Sequence, residues 1–295
     1  LASQDIAGGA ELIVVDDAST DDTWVVLERL AESAALAVRP MRLPVNEGPA
    51  TARNVGWRAA AAMQIAFTDD DCIPQPGWLA ALADGLGDAD LVQGQTRPDP
   101  AQAGRAGAFS HWIEVTSEQG HYETCNMAYR REVLEAVNGF DETFRLPFGE
   151  DLDLAWRAKQ GGFRSAFRAD ALVWHDVGRS SWTAYIRRMS RRRDFVLLCR
   201  RYPALRASLG MRVFTHPTAV ALVAVLIAAL LRPHLILWLT FAALAIRYVT
   251  KTVRDTLKPQ RPISWIGVVP VRLVADLYDV TVMLRASVRY RTLVI

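Results

Sequence analysis

Three adjacent carboxylates, Asp69, Asp70 and Asp71, follow a short apolar segment at residues 64–68. Neighbouring carboxylates repel one another, so they stay ionised together only beside a cation or in water. Their hard oxygen atoms suit Mg²⁺ or Mn²⁺, and such an ion can bridge the phosphates of a substrate. It would also stabilise the charge that develops on a departing diphosphate. The triplet therefore predicts a metal-diphosphate site, with a solvated acidic turn as the alternative.

A second acidic cluster, Asp16 and Asp17, follows the apolar segment at residues 11–15. These carboxylates could accept hydrogen bonds from a base or a ribose, or they could cap the following helix. Arg53 lies early in a predicted helix that begins after a Gly-Pro turn. A helix start with an arginine suits a nucleotide, whereas a surface arginine on a packed helix is the alternative.

Further candidates lie in the second half of the sequence. Glu150 and Asp151 are at a predicted helix start, where acids are stabilised by the helix dipole. A carboxylate there could also be the general base that deprotonates an acceptor hydroxyl. His175 follows a predicted strand and is either a packed residue or a ligand. The arginines at residues 187–193, including Arg191, could hold a pyrophosphate or supply positive charge at a membrane surface.

Strands and helices alternate along the segment that carries these candidates, which predicts a parallel, doubly wound α/β sheet. Ligands of such sheets bind beyond the carboxyl ends of the strands, where both acidic clusters lie. The predicted strands are at residues 11–15, 36–43, 64–68, 90–95, 123–130 and 163–168. The predicted helices are at residues 19–35, 51–63, 74–86, 131–137 and 149–161.

The last third of the chain has the composition of a membrane region. Residues 213–231 are nearly free of charge and long enough to span a bilayer, and residues 235–250 are a shorter apolar segment. Basic residues flank both outer ends, so we predict a transmembrane hairpin whose outer ends face the cytoplasm. A buried pair of soluble helices is the alternative. Residues 265–285 mix apolar and charged residues and predict an interfacial helix or, as the alternative, a third span. The predicted domains are 1–205 and 206–295.

Charge and cysteine content exclude some classes of protein. A net charge of +2 over 295 residues disfavours general nucleic-acid binding. The three cysteines, Cys72, Cys125 and Cys199, are far apart and show no CxxC spacing. This spacing disfavours a disulfide framework and a zinc site, and it favours a reducing compartment.

Five segments between residues 11 and 175 combine these candidates in a defined order. They are VVDDASTDDT (14–23), NEGPATARNVG (46–56), FTDDDCIP (67–74), CNMAYRREVLEAVNGFDETF (125–144) and GEDLDLAWRAKQGG (149–162). In this order, the chain resembles glycosyltransferase family 2. The resemblance implies a GT-A-type α/β fold with a doubly wound mixed sheet. It also implies transfer of a sugar from a nucleotide-sugar with inversion at the anomeric carbon.

The resemblance also implies a role for each matching acid in the donor site. Asp16 and Asp17 match acids that contact the nucleoside. Asp69 matches the first acid of the family's DxD motif, and Asp70 takes the middle position of that motif. Asp71 matches the second outer acid and is the expected direct ligand of Mg²⁺ or Mn²⁺.

Other positions match the family's catalytic and nucleotide-binding residues. Asp151 matches the catalytic base of the ED motif, in which Glu150 precedes it. Arg53 matches an arginine near the nucleotide, and His175 resembles a metal-binding histidine of some members. The cluster that contains Arg191 is similar to the basic motif of processive members, but their Gln-x-x-Arg-Trp motif is absent. A processive polymer synthase is therefore disfavoured.

The beginning of the sequence departs from the family pattern. Residues 1–4 resemble the end of a helix that follows the first strand in family members. We therefore expect this strand, which is central in the fold, to be missing. A chain without it is expected to be poorly stable or inactive alone.

Together these observations predict a metal-dependent glycosyltransferase at the cytoplasmic side of the cytoplasmic membrane. The expected donor is a nucleotide-sugar, with a UDP-sugar as the default from the family's habits. The expected acceptor is lipid-linked or lies close to the membrane. One alternative is a nucleotidyltransferase of related fold. Another is a membrane-anchored protein that binds nucleotide-sugars without catalysis.

Overall fold

The computed structural model describes residues 4, 9–33, 36–107, 109–178, 180–209 and 265–295, together with residues 213, 215, 220, 242, 246 and 250. These residues form two compact units. The first unit comprises Leu1–Ala103 and Trp112–Val177, and the second comprises Gly104–His111 and Gly178–Ile295. The predicted boundary between residues 205 and 206 stays a prediction.

The strands of the first unit are β1 (Glu11–Asp16), β2 (Ala37–Arg42), β3 (Gln64–Thr68), β4 (Cys72–Pro74), β5 (Leu91–Pro98), β6 (Asn126–Arg130) and β7 (Ser165–His175). Its helices are α1 (Thr23–Ser33), α2 (Pro49–Ala59), α3 (Trp78–Asp88), α4 (Arg131–Ala136) and α5 (Glu150–Gln160). Most of these elements lie where the apolar segments predict them. The short strand β4 was not predicted, because three residues after an acidic turn carry too little periodicity to be recognised.

The described strands form two sheets. β1 and β2 pair in parallel, and the other five have the order β3-β6-β5-β7-β4. In the larger sheet β5 and β7 are parallel, whereas β6 is antiparallel to both neighbours and β4 is antiparallel to β7. The parallel sheet that the alternation of strands and helices predicts is therefore wrong for β4 and β6, whereas the mixed sheet that the family resemblance implies is the one observed. Two consecutive strands of a sheet can run in the same direction only if a long crossover, usually an α-helix, joins them. In the described chain no α-helix joins β3 to β4 or β5 to β6, so β4 and β6 run opposite to the strands that precede them.

Apolar side chains cover both faces of the larger sheet. Along β6, Met127 and Tyr129 point into one buried cluster, and Ala128 points into the other. This follows from the two-residue period of a strand, which sends neighbouring side chains to opposite faces. Helices α2, α4 and α5 contribute to the first cluster and α3 contributes to the second. The packed sheet fixes the end of β3, after which Asp69, Asp70 and Asp71 lie.

The second unit is helical. It contains α6 (Trp182–Met189), α7 (Arg193–Arg201) and α8 (Trp265–Tyr290), with short 3-10 segments at Ser190–Arg192 and Pro203–Ser208. Helix α8 lies where the sequence predicts an interfacial helix, and it packs against α6 and α7. The predicted hairpin at residues 213–231 and 235–250 falls almost entirely outside the described residues. None of the helices that the structure describes is both long and apolar enough to cross a membrane.

Candidate active site

The acidic triplet forms the turn between β3 and β4. The Cys72 backbone N–H donates to the Asp69 carbonyl oxygen at 3.2 Å, and this bond closes the turn. Asp69 is partly buried, whereas Asp70 and Asp71 are exposed. The turn therefore presents Asp70 and Asp71 to solvent, where substrates can reach them.

Strand β4 brings Asp71 and His175 together. Cys72 lies opposite His175 in the antiparallel register, and the Asp176 N–H donates to the Asp71 carbonyl oxygen at 2.8 Å. As a result, Nε2 of His175 lies 3.8 Å from a carboxylate oxygen of Asp71. These two residues are 104 positions apart in the chain, and only the pairing of β4 with β7 makes them neighbours.

The His175 side chain is oriented from its other nitrogen. Its Nδ1 lies 2.9 Å from the Asp176 carbonyl oxygen, which can only accept a hydrogen bond. Nδ1 therefore carries a proton, and Nε2 faces Asp71. Metal-binding histidines are commonly held in this way. Burial, together with the charges of Asp69 and Asp70, raises the pKa of Asp71 against the opposing effect of His175.

Arg53 joins the acidic triplet to the acidic pair that opens α5. Its guanidinium donates to Glu150 at 2.7 Å and to Asp69 at 3.0 Å. Burial disfavours the charge of Arg53, but these two carboxylates outweigh it and raise the pKa of the guanidinium. The arginine is therefore a charged link inside the protein. Its expected contact with a nucleotide stays a prediction.

Glu150 and Asp151 occupy the first turn of α5 but have different surroundings. Glu150 is 3% exposed and binds Arg53 through Oε1. Its Oε2 is buried and has no hydrogen-bond partner among the described residues. Asp151 is partly exposed, and its Oδ1 accepts from the Leu152 N–H at 2.8 Å. Burial and the charge of Glu150 raise the pKa of Asp151 well above its ordinary value, against the effect of Arg53.

Asp16 is the last residue of β1 and Asp17 follows it, and both bind backbone or side-chain groups of their own unit. Asp16 accepts from the Ser19 N–H at 2.9 Å and lies 3.2 Å from Nε of Arg42. Asp17 accepts from the N–H groups of Glu47 at 2.7 Å and Gly48 at 2.8 Å. Asp17 therefore fixes the loop that leads into α2, the helix that carries Arg53. Neither acid caps α1, and their contact with a nucleoside stays a prediction.

Asn54 is a buried residue of this region that the sequence alone did not single out. Its amide donates to the Phe140 carbonyl oxygen and accepts from the Phe140 N–H, both at 2.9 Å. It also accepts from the Trp57 indole at 2.8 Å. Gly139 has φ +65°, and a Cβ there would lie 2.4 Å from the Asn54 oxygen, so glycine is required. The ARN and NGFD segments are thus one hydrogen-bonded structure.

Arg191 lies in the short 3-10 segment Ser190–Arg192 of the second unit and is partly exposed. The remaining sequence-predicted site residues all lie in the first unit. The role of Arg191 toward a pyrophosphate stays a prediction.

Two family models together match most of the chain. The model of Glycosyl transferase family 2 matches residues 1–137, and the model of Glycosyl transferase family 21 matches residues 118–293. The first match contains both acidic clusters and Arg53. The second contains the acidic pair that opens α5, His175 and helix α8.

Curated relatives match over part of their length. The chain is 30% identical over 186 residues to the Pre-mycofactocin glycosyltransferase of Mycobacterium tuberculosis, which is 57% of this chain and 38% of that protein. It is 29% identical over 177 residues to Glycosyltransferase AglE of Haloferax volcanii, which is 56% of each protein. The matched region thus spans less than two thirds of either relative.

One solved structure is similar over most of the chain. The mannosyltransferase PcManGT from Pyrobaculum calidifontis, in complex with GDP-Man and Mn²⁺, has a TM-score of 0.63. The sequence identity is 23%, and the similarity covers 95% of this chain and 77% of that one. At this identity the likeness shows a shared α/β, GT-A-like fold.

Proposed function

The chain belongs to glycosyltransferase family 2, and from this premise we propose that it transfers a sugar from a nucleotide-diphosphate sugar to an acceptor hydroxyl. The transfer is proposed to be metal-dependent and to invert the anomeric carbon. The observation that carries the proposal is the Arg53 link. A single guanidinium binds Asp69 of the acidic triplet and Glu150 of the acidic pair, so the proposed donor site adjoins the proposed base.

Asp71 and His175 suit a divalent cation such as Mn²⁺ or Mg²⁺. One offers an anionic oxygen, the other an imidazole nitrogen whose lone pair is directed by the contact at Nδ1. Asp69 is the candidate for a further contact, although its Oδ1 already binds Arg53. When bound, the cation supplies positive charge beside the diphosphate that leaves.

The different surroundings of Glu150 and Asp151 favour different roles. Glu150 is buried and paired with Arg53, so we propose that it holds Arg53 and the first turn of α5 in position. Asp151 is the more accessible acid, and its raised pKa makes it a stronger base than an ordinary carboxylate. It takes the proton of the acceptor hydroxyl while the acceptor oxygen bonds to the anomeric carbon. The bond from that carbon to the diphosphate oxygen breaks, and the nucleoside diphosphate leaves.

The donor is proposed to be a UDP-sugar, and a GDP-sugar is the second candidate because PcManGT was solved with GDP-Man. A depression lined by residues 18–21 and 42–44 lies beyond the ends of β1 and β2. This is the edge of the sheet where α/β folds bind ligands. The depression supports the proposal that the nucleoside binds next to Asp16 and Asp17.

A membrane is the proposed site of action, and a lipid-linked or membrane-proximal molecule is the proposed acceptor. One face of α8 exposes apolar side chains, and Arg285 and Arg289 flank this face. An amphipathic helix with basic flanks suits an anionic bilayer surface at the cytoplasmic side. The apolar residues are Leu273, Val274, Leu277, Leu284 and Val288.

Contact of α8 with lipid is tested by attaching a fluorophore to the chain at Leu277→Cys and reconstituting it in anionic vesicles. Nitroxide-bearing lipids should quench this fluorophore, because position 277 would face acyl chains. Val26→Cys, at an equally exposed apolar position of α1 (46% exposed), is the matched control and should be quenched little. The unsubstituted chain gives the background from the native thiols. Equal quenching at both positions would show that protein covers this face of α8.

The donor site is tested by calorimetric titration of the chain with UDP, GDP and dTDP, with and without Mn²⁺. We expect one nucleotide to bind in the presence of metal, and Asp71→Ala to weaken this binding. Asp88→Asn, an exposed acid at the end of α3, is the matched control. Absence of metal-dependent binding by all three nucleotides would refute the donor site.

Catalysis is tested separately with Asp151→Asn. This variant should bind the nucleotide-sugar nearly as the original chain does, while turnover falls by about 10²–10⁴-fold, the typical contribution of a general base. Unchanged turnover in Asp151→Asn would contradict the assignment of the base. Binding without any turnover in the unsubstituted chain would instead support the non-catalytic alternative.

A further inference from the structure

A sulfur atom lies beside the two donors of the proposed metal site. Sγ of Cys72 is 3.7 Å from Oδ1 of Asp71, and Cys72 pairs with His175 across β4 and β7. One donor atom from each of Asp71, Cys72 and His175 can be chosen so that all three lie within 4.8 Å of one another. The group therefore combines a carboxylate oxygen, a thiol sulfur and an imidazole nitrogen.

The spacing of these atoms suits a small tetrahedral ion. Bonds of about 2.0–2.3 Å at tetrahedral angles place ligand atoms about 3.4–3.6 Å apart. Sγ of Cys72 lies 3.7 Å from Oδ1 of Asp71, and Nε2 of His175 lies 3.8 Å from Oδ2 of the same carboxylate. Because Asp71 is exposed, its side chain can rotate to take up the remaining difference. His175 is buried and is already oriented through Nδ1.

We infer that Asp71, Cys72 and His175 form a binding site for a thiophilic divalent cation such as Zn²⁺. Sulfur and imidazole ligands favour Zn²⁺ and Co²⁺, whereas Mg²⁺ and Mn²⁺ favour oxygen ligands. On binding, the Cys72 thiol releases its proton to solvent and the thiolate becomes the third protein ligand. The fourth position is left for water or for a phosphate oxygen.

This inference rests in part on the proposed function, because both use Asp71 and His175. The consequence is competition: Zn²⁺ bound through the sulfur occupies the donor metal site and excludes Mn²⁺ or Mg²⁺. The widely spaced cysteines predict no zinc site, but that expectation considers neighbours along the chain only. The donors here come from two strands that pair in the fold.

Cys125 is a second thiol close to the site. It is buried, its sulfur lies 3.8 Å from the Thr96 hydroxyl, and it is close enough to Cys72 for that thiol, together with burial, to raise the pKa of Cys125. Cys125 is therefore a neighbour of the proposed ligand Cys72. Because Cys125 is also a rival source of sulfur, the experiment must separate the two thiols.

The test is a titration of the full chain with Co²⁺ in the absence of nucleotide, followed by displacement with Zn²⁺. Sulfur ligation gives a near-ultraviolet charge-transfer absorption that oxygen and nitrogen ligands do not give. We expect this band in the original chain and its loss in Cys72→Ser. Zn²⁺ affinity should fall at least about a hundredfold, since even outer-shell changes typically cost about 10–100-fold. Cys125→Ser and Cys199→Ser should retain the band.

A band that persists in Cys72→Ser, or that disappears in Cys125→Ser alone, would overturn the inference. Circular dichroism establishes that each variant is folded. Mn²⁺-dependent nucleotide binding, measured in parallel, reports on the proposed function independently. A band that depends on Cys72 without nucleotide binding would sustain this site and refute the donor site. Mn²⁺-dependent nucleotide binding without the absorption band would sustain the donor site and refute the Zn²⁺ site.

Discussion

Replacing Arg53 with methionine removes a buried positive charge while keeping a side chain of similar length. The ion pair with Glu150 has a 2.7 Å separation, and the two side chains are 19% and 4% exposed. Removing one partner of a buried pair typically costs about 3–5 kcal/mol, because the other charge stays buried without compensation. The side chain of Asp69 is 29% exposed and can be solvated, so losing the ion pair between Arg53 and Asp69 adds little to this cost. We therefore expect Arg53→Met to lower the free energy of unfolding by about 3–5 kcal/mol.

The cause of this loss is the Glu150 charge, which stays buried without a partner, and not the missing contact itself. The double variant Arg53→Met with Glu150→Gln should therefore recover most of the loss, to within about 1–2 kcal/mol of the original chain. Arg58→Met is the matched control, since Arg58 lies on the same helix. It pairs with Glu142 at 3.4 Å with both side chains more than 40% exposed. Its loss should cost no more than about 1 kcal/mol.

The assay is urea unfolding of the purified full chain in detergent, monitored by tryptophan fluorescence and extrapolated to zero denaturant. A loss below about 1 kcal/mol in Arg53→Met would refute the argument. So would a double variant that is less stable than the single one. A second readout is catalytic: because Arg53 lowers the pKa of Asp151, its removal should shift the rising limb of the pH–rate profile to higher pH.

Three further outcomes are expected. The pKa of Asp151 is raised in the folded state, so the folded protein binds more protons between the ordinary carboxyl value of 3.8 and the raised value. Its contribution to stability is therefore full below that window and is lost as the pH rises through it. In urea titrations, Asp151→Asn should be more stable than the original chain at pH 8 and should lose this advantage towards pH 4. A stability difference that stays constant with pH would contradict the raised pKa of Asp151. Asn54→Ala should cost about 2–4 kcal/mol in the same assay, because it leaves the buried N–H and carbonyl of Phe140 without partners; a cost below 1 kcal/mol would show that water replaces the amide. Asp17→Ala should increase the hydrogen exchange rate of the Gly48 amide about tenfold, equivalent to about 1.4 kcal/mol, and unchanged protection would show that the loop is held by other contacts.

Much of the α/β scaffold was predictable because its signals are local. A buried strand is an apolar run, and a helix start is an acidic or Gly-Pro turn, so β1, β3, α2 and α5 were found close to their observed bounds. The acidic clusters at the ends of β1 and β3 were equally visible. The family resemblance also comes from the linear order of motifs, and the family models agree with it.

Other features depend on which strands pair, which a local pattern cannot specify. The antiparallel pairing of β4 with β7 places His175 and Cys72 beside Asp71. The sequence does not indicate Cys72 as a metal ligand, because no second cysteine stands near it along the chain. Strand β4 is too short to show a periodic pattern, so neither its existence nor its register was available without the fold.

The order of residues is enough to show where buried strands end in acids, which residue types could bind metal and nucleotide, and which family the chain resembles. The prediction of a membrane hairpin also rests on the sequence alone. The tertiary structure decided that Arg53 links Asp69 to Glu150, two acids 81 positions apart. The packing also leaves Glu150 buried and Asp151 partly exposed. The physical reason is that charge pairing, burial and pKa depend on distances in space, and these are set when separate segments pack together.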